Sequence, residues 1–514
     1  MVETLVVNLF GAPGAGKCFR SGTKVLMYDG MIKKVEDIKV GDYLMGPDSK
    51  KRRVFNLSKG KDTLFEVKPV KGDSFYVTRN HILPLKFNCH CKEKVEKYSI
   101  EEFIKLREYR KKRLKLYRSE CINFPEKEVL MDPYFIGCWL GDGNCANQGI
   151  TTIDDEIIYY LKKIAEKFNM KTTLVAKTGT NAVRVNITNG QCGGKPNEVL
   201  NILRKLNLIH NKHIPDIYKI NSRHNRLLLL AGLIDTDGSR SHNCIEIVTK
   251  YDALSEDIKF LCRSLGYAAY ESKKIVDNKS YHRILISGDL KDIPVLLKRK
   301  KCSKRLQIKS TLRTGLSVIK YRKENFYGFE VDGDHLFLLS DFTVTHNSTT
   351  SAGVFSLLKL QGLNCELVTE FAKSLVWKES LYELNNQMYV TGNQYHNMYI
   401  LNNKVDVIIT DSPLILGLVY NTVSDTFIKL TLELFNSFNN LNYFINCTKE
   451  YNNVGRIQSK EEAKKVDKKL KTFIVDNVIG YQNVDGNYKG INKIVSDILK
   501  IKNKINALKI ISVD

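Results

Sequence analysis

A glycine-rich loop near the start of the chain constrains its fold more than any other feature. The β-branched and apolar run Leu5–Phe10 predicts a buried strand. It leads into GAPGAGK, which matches the phosphate-binding pattern GxxxxGK[ST] at all but the last position. In such a loop, backbone N–H groups freed by glycine curl round phosphate oxygens, and the lysine reaches the outer phosphates. The residues with these roles are Gly11, Gly14, Gly16 and Lys17.

The hydroxyl residue that should complete this pattern is missing at position 18 and present far downstream. Cys18 takes its place, and the residues that follow Cys18 do not resemble a helix start. At Ser348-Thr349 the chain resumes with a hydroxyl residue and an amphipathic pattern. Removing residues 18–347, an insert of 330 residues, restores a complete loop within the 184 that remain. The alternative is a degenerate loop with a chance serine downstream, and the chemistry of the two junctions argues against it.

The residues at both ends of the insert suit peptide-bond rearrangement. The Cys18 thiol can attack the preceding carbonyl and convert the Lys17–Cys18 peptide bond to a thioester. The Ser348 hydroxyl can then accept the acyl group. The Asn347 side-chain amide can attack its own backbone carbonyl and cyclise, with His346 as general acid or base. The resulting ester would rearrange to a Lys17–Ser348 peptide bond.

With these junctions, residues 18–347 resemble an intein of the Hint type. The start CFRSGTKVLMYDG, the Thr-x-x-His of Phe75–His81, and the closing stretches Tyr327–Phe337 and Phe342–Asn347 resemble the four conserved blocks of that family. The resemblance implies that His81 protonates the scissile amide nitrogen, supported by Thr78. It also implies a compact all-β horseshoe that brings the two junctions together.

One position departs from the intein pattern. Many inteins carry Asp or Cys near the start of the first C-terminal block, where this chain has Gly328. His335 is a weaker substitute for that group.

The middle of the insert contains two related motifs. Leu230–Gly238 reads LAGLIDTDG, and the looser copy Phe135–Gly143 reads FIGCWLGDG. Both resemble the LAGLIDADG homing endonucleases, so the region is expected to be a pseudo-dimer whose motif helices pack closely through small residues. The resemblance implies that Asp142 and Asp237 hold divalent ions for phosphodiester cleavage, and that Lys212 stabilises charge near the scissile phosphate. The alternative is that each motif is an ordinary buried helix that ends in an Asp-Gly turn.

The net charge of +24 lies almost wholly in the insert. The flanking segments hold 20 Lys and Arg against 17 Asp and Glu, whereas the insert holds 60 against 39. A net charge of +21 is expected of a protein that binds double-stranded DNA. Lys105–Arg118 is the densest basic stretch, either a DNA-contacting helix or a solvated basic helix face, and Lys298–Lys301 is similar. Cys89-His90-Cys91 is too crowded to close a tetrahedral metal site without other ligands.

The rejoined flanking segments predict an α/β protein. A second buried strand at Val405–Asp411 ends in Asp411, the expected place for a carboxylate that orients Mg²⁺ or acts as a base. Further strands are predicted at Leu363–Thr369, which Glu370 follows, and at Leu441–Cys447. Gly455-Arg456 and the charged helix after it are typical of a kinase lid, in which Arg456 clamps phosphates.

This arrangement resembles the small AAA-type P-loop kinases related to nicotinamide ribonucleoside kinase, which are common in phages. The resemblance implies an ATP site that includes Thr349, Mg²⁺ bound by Ser348 and Asp411, and a nucleoside or nucleotide as second substrate. The alternative is a regulatory ATPase whose hydrolysis drives motion.

The sequence therefore predicts a multidomain protein: an α/β P-loop NTPase host split by an all-β Hint splicing domain, which itself contains an α+β LAGLIDADG endonuclease. The expected segments are 1–17 and 348–514 for the host, 18–125 and 313–347 for the splicing domain, and 126–312 for the endonuclease. No apolar run approaches the ~18 residues that cross a bilayer, so no membrane is expected. The first residues lack a signal-peptide pattern and the twelve Cys are expected to be reduced, which favours a cytoplasmic location, in the infected cell if the protein is viral.

Overall fold

The structure of the chain is a computed structural model. It describes residues 4–10, 18–79, 81–87, 94–190, 196–307, 309–332, 334–346, 350–372, 375, 380–419, 424–446, 460–485 and 488–511. Within these ranges, none of the helices has both the length and the apolar character that a membrane crossing requires. The loop residues 11–17, the junction residues 347–349, the Cys89-His90-Cys91 group and Arg456 lie outside the described residues.

The chain begins with one buried strand, and the first part of the insert then consists mainly of β-strands. Strand β1 (Leu5–Phe10) is buried along its whole length, as predicted. The insert then forms a series of strands, of which β6 is long, and two short helices: β2 (Phe19–Arg20), β3 (Lys24–Leu26), β4 (Ile32–Lys34), a 3₁₀ turn (Val35–Asp37), β5 (Tyr43–Met45), β6 (Lys51–Pro69), β7 (Phe75–Thr78), β8 (Ile82–Phe87), β9 (Lys94–Ser99), α1 (Ile100–Lys105), α2 (Glu108–Arg113) and β10 (Leu114–Tyr117).

The prediction of one basic helix over Lys105–Arg118 is wrong. The chain bends after Lys105, forms the short helix α2 and then enters strand β10. Arg110 stacks on the Phe87 ring and pairs with Glu96, while Arg118 is buried. The basic residues of this stretch therefore divide into exposed lysines, which face solvent, and arginines that hold this part of the insert together. The two helices also make this part of the chain less purely β than predicted.

The central region has two halves of similar layout, each a motif helix followed by strand structure, a second helix and two further strands. The first half contains α3 (Pro133–Asp142), β11 (Ile150–Thr152), α4 (Asp155–Lys167), β12 (Lys171–Ala176), β13 (Val183–Thr188) and α5 (Glu198–Lys205). After α6 (Asp216–Lys219), the second half contains α7 (Arg223–Asp237), β14 (Gly238–Ser241), β15 (Cys244–Thr249), α8 (Asp252–Ser264), β16 (Ala268–Val276) and β17 (Lys279–Ser287), followed by 3₁₀ turns at Leu290–Asp292 and Lys298–Lys300. The sheets run β11-β13-β12 and β14-β15-β17-β16, both antiparallel.

Local sequence explains where the two motif helices begin and end. The Asp132 side chain accepts the Tyr134 N–H ahead of α3, and the Ser222 side chain accepts the Asn225 N–H ahead of α7. Each helix is followed by a glycine, at which an added Cβ would lie within 2.5 Å of a carbonyl oxygen of the preceding turn. Both motifs are therefore helices that stop at their acidic residue, as predicted.

The last part of the insert returns to the sheets of the first part. It contains β18 (Arg313–Thr314), β19 (Leu316–Val331), β20 (Leu336–Leu338) and β21 (Val344–His346). Strand β19 pairs with β6 from Leu316↔Pro69 to Val331↔Val54, and also pairs with β2. The resulting sheets run β19-β2-β7-β6-β5 and β18-β10-β8-β9. The two ends of the insert thus belong to one set of sheets, which the central region interrupts.

The flanking segments form one five-stranded parallel sheet in the order β22-β23-β1-β24-β25. Its central strand, β1, precedes the insert, and every other strand follows it. The remaining elements are α9 (Thr350–Leu360), β22 (Cys365–Val368), α10 (Leu381–Asn385), α11 (Gln387–Tyr399), β23 (Val407–Thr410), a 3₁₀ turn (Leu414–Val419), α12 (Asp425–Asn436), β24 (Asn439–Asn446), α13 (Lys460–Asp476), β25 (Gln482–Asp485) and α14 (Tyr488–Ile511). The three downstream strands predicted from sequence are confirmed.

Apolar side chains cover both faces of this sheet. Alternate residues of β1 point to opposite faces, so Leu5, Val7 and Leu9 pack with α9 and α14 while Val6 and Phe10 pack with α12. Asn8 is buried and donates to the Asn440 and Asn442 side chains of β24. The sheet is therefore assembled around β1 while the insert is still in the chain.

Candidate functional site

The first splice junction is held by Thr78. Cys18 is buried just before β2, and its backbone N–H donates to the Thr78 hydroxyl at 3.2 Å. The Thr78 N–H donates in turn to the Cys18 carbonyl at 3.0 Å. Since Cys18 N is the nitrogen of the Lys17–Cys18 peptide bond, Thr78 directly contacts the amide at which cleavage is predicted.

His81 connects the first junction to the second. Its ring is buried and lies edge-on to Phe19, with the ring centroids 4.6 Å apart. Its Nε2 lies 2.9 Å from the hydroxyl of Thr345, the residue before His346. The Thr78 carbonyl also accepts the His81 N–H at 3.0 Å. Residues 264 positions apart in sequence are thereby joined at one place, as the family resemblance predicts.

Two histidine rings lie close together just before the second junction. His346 is buried in β21, opposite Leu336 of β20. The His335 ring centroid lies 5.8 Å from that of His346. His335 Nδ1 contacts the Val331 carbonyl, which can only accept, so this nitrogen carries the proton. Asn347 and Ser348 follow directly but lie outside the described residues.

The two motif helices approach each other backbone to backbone. A Cβ added at Gly137 of α3 would lie 2.2 Å from the Leu229 carbonyl oxygen of α7. A Cβ at Gly232 of α7 would lie 2.2 Å from the Tyr134 carbonyl oxygen of α3. Each of these glycines precedes the last acid of its helix by five residues, so the close crossing fixes how the two acids meet.

Asp142 and Asp237 converge at the ends of these helices. A Cβ at Gly141 would lie 3.4 Å from the Asp237 carboxyl carbon, which places the end of α3 against that carboxyl group. Desolvation by the surrounding protein and the charge of Asp142 raise the pKa of Asp237 to about 6. Desolvation also raises the pKa of Asp142, although its side chain still reaches solvent. Because the two carboxyl groups resist being ionised at the same time, a positive charge placed beside them would be stabilised.

A lysine caps each motif helix beside these acids. Lys212 is buried, and its Nζ donates to the Gly141 carbonyl at 2.7 Å over the Trp139 ring. Lys300 Nζ donates to the carbonyls of Ile234, Asp235 and Thr236 at 2.9, 2.7 and 3.0 Å. Burial lowers the pKa of both lysines, opposed by the nearby carboxylates. Positive charge at a helix C-terminus stabilises the helix.

The role of Lys300 is not apparent from the sequence, in which Lys298–Lys301 is only a basic stretch. In the structure a 3₁₀ turn brings Lys300 onto α7. The signal in the sequence that could have indicated this role is its position: Lys300 follows the second motif, as Lys212 follows the first. Asp235, the other acid of the motif, faces away and accepts hydrogen bonds from Tyr134 and from the Leu296 and Leu297 N–H groups.

In the parallel sheet, the described part of the predicted phosphate site is the end of β23. Asp411 follows this strand, and its Oδ2 accepts from the Ser351 hydroxyl at 3.3 Å. Beside it, Gln394 of α11 donates to the Thr410 hydroxyl and accepts the Phe371 N–H. Asp411 therefore sits against the start of α9. Gly11, Gly14, Gly16, Lys17, Ser348, Thr349 and Arg456 lie outside the described residues.

Two regions of the chain match known protein families. Residues 18–125 match the family described as Hom_end-associated Hint, and residues 213–307 match the homing endonuclease family. The chain therefore contains a Hint domain of the type associated with homing endonucleases, together with a homing endonuclease domain. The second match includes Asp237 and Lys300 but neither Asp142 nor Lys212. The assignment of the first half of the pseudo-dimer therefore depends on the structure.

Similarity to curated proteins covers only parts of them. The replicative DNA helicase DnaB of Mycobacterium intracellulare is 31% identical over 242 residues, which are 45% of this chain and 37% of the helicase. The catalytic subunit of the V-type proton ATPase of Candida tropicalis is 37% identical over 79 residues, which are 13% of this chain and 7% of that protein. The chain thus spans little more than a third of one relative and less than a tenth of the other.

Two solved structures are weakly similar to parts of this chain. A crystal structure of I-DmoI with DNA and Ca is 14% identical, covers 30% of this chain and 82% of its own, and has a TM-score of 0.25. The gp41-1 intein is 19% identical, covers 20% of this chain and 69% of its own, and has a TM-score of 0.16. Neither similarity decides the chemistry of this chain.

Proposed function

We propose that residues 18–347 excise themselves and join Lys17 to Ser348. The observation that carries this proposal is the link from Cys18 through Thr78 and His81 to Thr345, because it joins the two ends of the insert. The match to a homing-endonuclease-associated Hint domain supports it. Two distant junctions must meet before an acyl group can pass between them.

The steps need no cofactor. Cys18 Sγ attacks the Lys17 carbonyl, the C–N bond breaks, and the Cys18 amine leaves with a proton supplied by His81. The Ser348 hydroxyl displaces the thiolate to form an ester. Asn347 Nδ2 then attacks the Asn347 carbonyl and releases the Ser348 amine, and His346 carries the proton for this step. That amine takes the acyl group from the ester, which leaves the new peptide bond.

Expression of the unmodified chain tests this proposal. Mass spectrometry should find a 184-residue ligated product and a 330-residue insert in place of the 58.9 kDa chain. Cys18→Ala should block ligation. Recovery of only the full-length chain from the unmodified sequence would exclude self-excision.

We propose further that the insert cleaves double-stranded DNA at a specific site. The homing endonuclease match and the convergence of Asp142 and Asp237 support this. Their carboxylate oxygens are the ligands that Mg²⁺ prefers, and raised carboxyl pKa values fit a site completed by a cation. A bound divalent ion would activate water and stabilise the leaving oxygen. The chain's own lysines, Lys212 and Lys300, add positive charge where a phosphate would lie.

The competing proposal is a splicing insert whose endonuclease is inactive. Both acids and both capping lysines are present, which favours activity. The test is cleavage of a duplex that encodes the uninterrupted glycine loop, in the presence of Mg²⁺. A duplex that already carries the insert is the control and should remain intact. Binding without cleavage would support the inactive alternative.

For the rejoined host we propose an ATP-dependent kinase of the P-loop type. The parallel sheet centred on β1, with Asp411 at the end of the neighbouring strand and against α9, supports this. In it, Lys17 would contact phosphates, Ser348 and Asp411 would hold Mg²⁺, and Arg456 would close over the phosphates. If the spliced host consumes ATP only when a nucleoside or nucleotide is added, it is a kinase. Consumption without them would favour a regulatory ATPase.

Ser348 has two roles in these proposals, as acyl acceptor before excision and as Mg²⁺ ligand after it. Because the splicing domain separates Lys17 from Ser348, we propose that the precursor does not bind Mg·ATP productively. A Cys18→Ala, Asn347→Ala precursor should show no tight Mg·ATP binding, whereas the spliced host should. Equal affinity of the two proteins would contradict this.

A further inference from the structure

The strand that carries His346 is preceded by a tight turn, here named the junction turn, at Leu339–Thr343. The Phe342 N–H donates to the Leu339 carbonyl at 2.8 Å, and the Leu339 N–H donates to the Thr343 carbonyl at 3.0 Å. Phe342 has a φ of +66° and is completely buried. A bulky side chain rarely adopts this left-handed conformation unless its surroundings hold it there.

The central region supplies part of those surroundings. The Phe342 ring packs edge-on against Phe260 of α8, with the ring centroids 5.2 Å apart. Both belong to an apolar cluster with Ile220 of the central region and with Leu26 and Val344 of the splicing domain. The endonuclease therefore packs against the side chain of Phe342, the residue of the junction turn whose backbone conformation is least favourable.

A buried ion pair fixes the other side of the turn. The Asp341 carboxylate accepts the Thr343 N–H at 3.0 Å and the Thr343 hydroxyl at 2.8 Å. It also pairs with Arg118 at 3.1 Å, while Arg118 Nε donates to the Asp341 carbonyl at 3.1 Å. Burial alone would raise the pKa of Asp341, but Arg118 holds it below its usual value. Arg118 and Asp341 therefore form a charged pair whose hydrogen bonds hold the junction turn in place.

The same arginine reaches across to the endonuclease. Arg118 Nη1 donates to the hydroxyl of Tyr270 on β16 at 3.0 Å. The backbone at Gly72 also approaches the guanidinium closely, because a Cβ at Gly72 would lie 2.3 Å from Arg118 Nη2. The guanidinium is therefore held between the junction turn and a strand of the endonuclease.

We propose that the endonuclease domain braces the C-terminal splice junction, with Arg118 as the positioning residue between Tyr270 and the junction turn. The turn sets the register of β21, in which His346 lies opposite Leu336. Cys18 is held by different contacts, those with Thr78. Loosening the brace therefore slows Asn347 cyclisation much more than thioester formation at Cys18, which is linked to β21 through His81 and Thr345. This inference rests on the proposed splicing function.

The experiment measures the two junctions separately in the full chain. Cleavage between Asn347 and Ser348 is followed in a Cys18→Ala background. Thiol-induced cleavage between Lys17 and Cys18 is followed in an Asn347→Ala background. The variants are Arg118→Gln, the conservative Arg118→Lys, Tyr270→Phe and Phe260→Leu. Arg110→Lys is the matched control, since Arg110 is an ion-paired arginine of the splicing domain with no part in the junction turn.

C-terminal cleavage should slow at least about tenfold in Arg118→Gln, because a buried charge loses its partner, with partial rescue in Arg118→Lys. Phe260→Leu should slow it about threefold to tenfold, the range expected for loss of one aromatic pair. Thiol-induced cleavage should change less than about twofold in Tyr270→Phe and Phe260→Leu, which are conservative changes expected to keep the domain folded even if Arg118→Gln does not.

The outcomes separate this inference from the proposal beneath it. If the parent backgrounds cleave and the Tyr270 and Phe260 variants match them at both junctions, the brace does not exist. Equal losses at both junctions would also overturn it, because they would indicate general destabilisation. If neither parent background cleaves, self-excision itself fails.

Discussion

The closest approach of the two motif helices offers the sharpest test of the endonuclease. In Gly232→Ala, the new methyl group would lie 2.2 Å from the Tyr134 carbonyl oxygen and 2.8 Å from the Cys138 nitrogen. Ordinary contact begins at 3.4 Å, so the helices must separate by about 1.2 Å. Because the opposing atoms are backbone, no side-chain rotation can relieve the contact.

Two opposing effects decide the size of the result. Alanine favours a helix over glycine by up to about 1 kcal/mol. Overpacking a close-packed interface costs about 1–3 kcal/mol, with the upper end expected against rigid backbone. The unfolding free energy of the endonuclease domain should therefore fall by about 2 kcal/mol. A displacement near 1 Å at Asp142 and Asp237 should reduce DNA cleavage about a hundredfold.

The assay compares urea unfolding midpoints and single-turnover cleavage of the target duplex for both proteins. Gly392→Ala is the control, since Gly392 lies in helix α11 and no atom of the described residues lies within 4 Å of an added Cβ, and it should leave cleavage unchanged. Splicing should be normal in both variants. Unchanged stability and cleavage in Gly232→Ala would refute the backbone-to-backbone packing.

Three further predictions concern the insert. Asp237→Asn should abolish DNA cleavage and leave splicing intact; loss of both activities in gel assays would contradict the separation of the two sites. Lys300→Met removes three hydrogen bonds to carbonyls at the end of α7 and should lower the unfolding free energy of the endonuclease domain by about 1–2 kcal/mol, measured by urea unfolding, with Lys298→Met as control. Lys259 and other hydrogen-bond donors hold the pKa of Glu271 at about 2 against its usual 4.5. A lowered carboxyl pKa stabilises the fold above the unfolded-state value, and this stabilisation should be lost as the pH falls from about 4.5 to 2. Because Glu271 is exposed, solvent screening limits the loss to about 1 kcal/mol. Urea midpoints at pH 5 and 3 should change less in Glu271→Gln, and an equal change would refute this assignment.

Much of the fold could be predicted because the relevant patterns are local. The runs that form β1 and β23 are largely apolar, β24 is built round the apolar stretch Tyr443–Ile445, and the two motifs end in Asp-Gly. Local pattern failed over Lys105–Arg118, where basic residues are compatible with helix but tertiary pairing draws Leu114–Tyr117 into a strand. Charge density alone does not distinguish a DNA-facing residue from one, such as Arg118, that is buried in an ion pair.

The sequence by itself determined the chemistry: a thiol, a histidine, an amide and a hydroxyl at the two junctions, and one acid at the end of each motif. These are identities and short spacings, and they need no knowledge of distant contacts. Only the tertiary structure decided that Lys300 caps α7, that His335 stands beside His346, and that Arg118 ties the junction turn to Tyr270. The last of these contacts spans 152 residues between Arg118 and Tyr270 and 223 between Arg118 and Asp341. Such contacts arise from packing between domains, and no local period in the sequence records them.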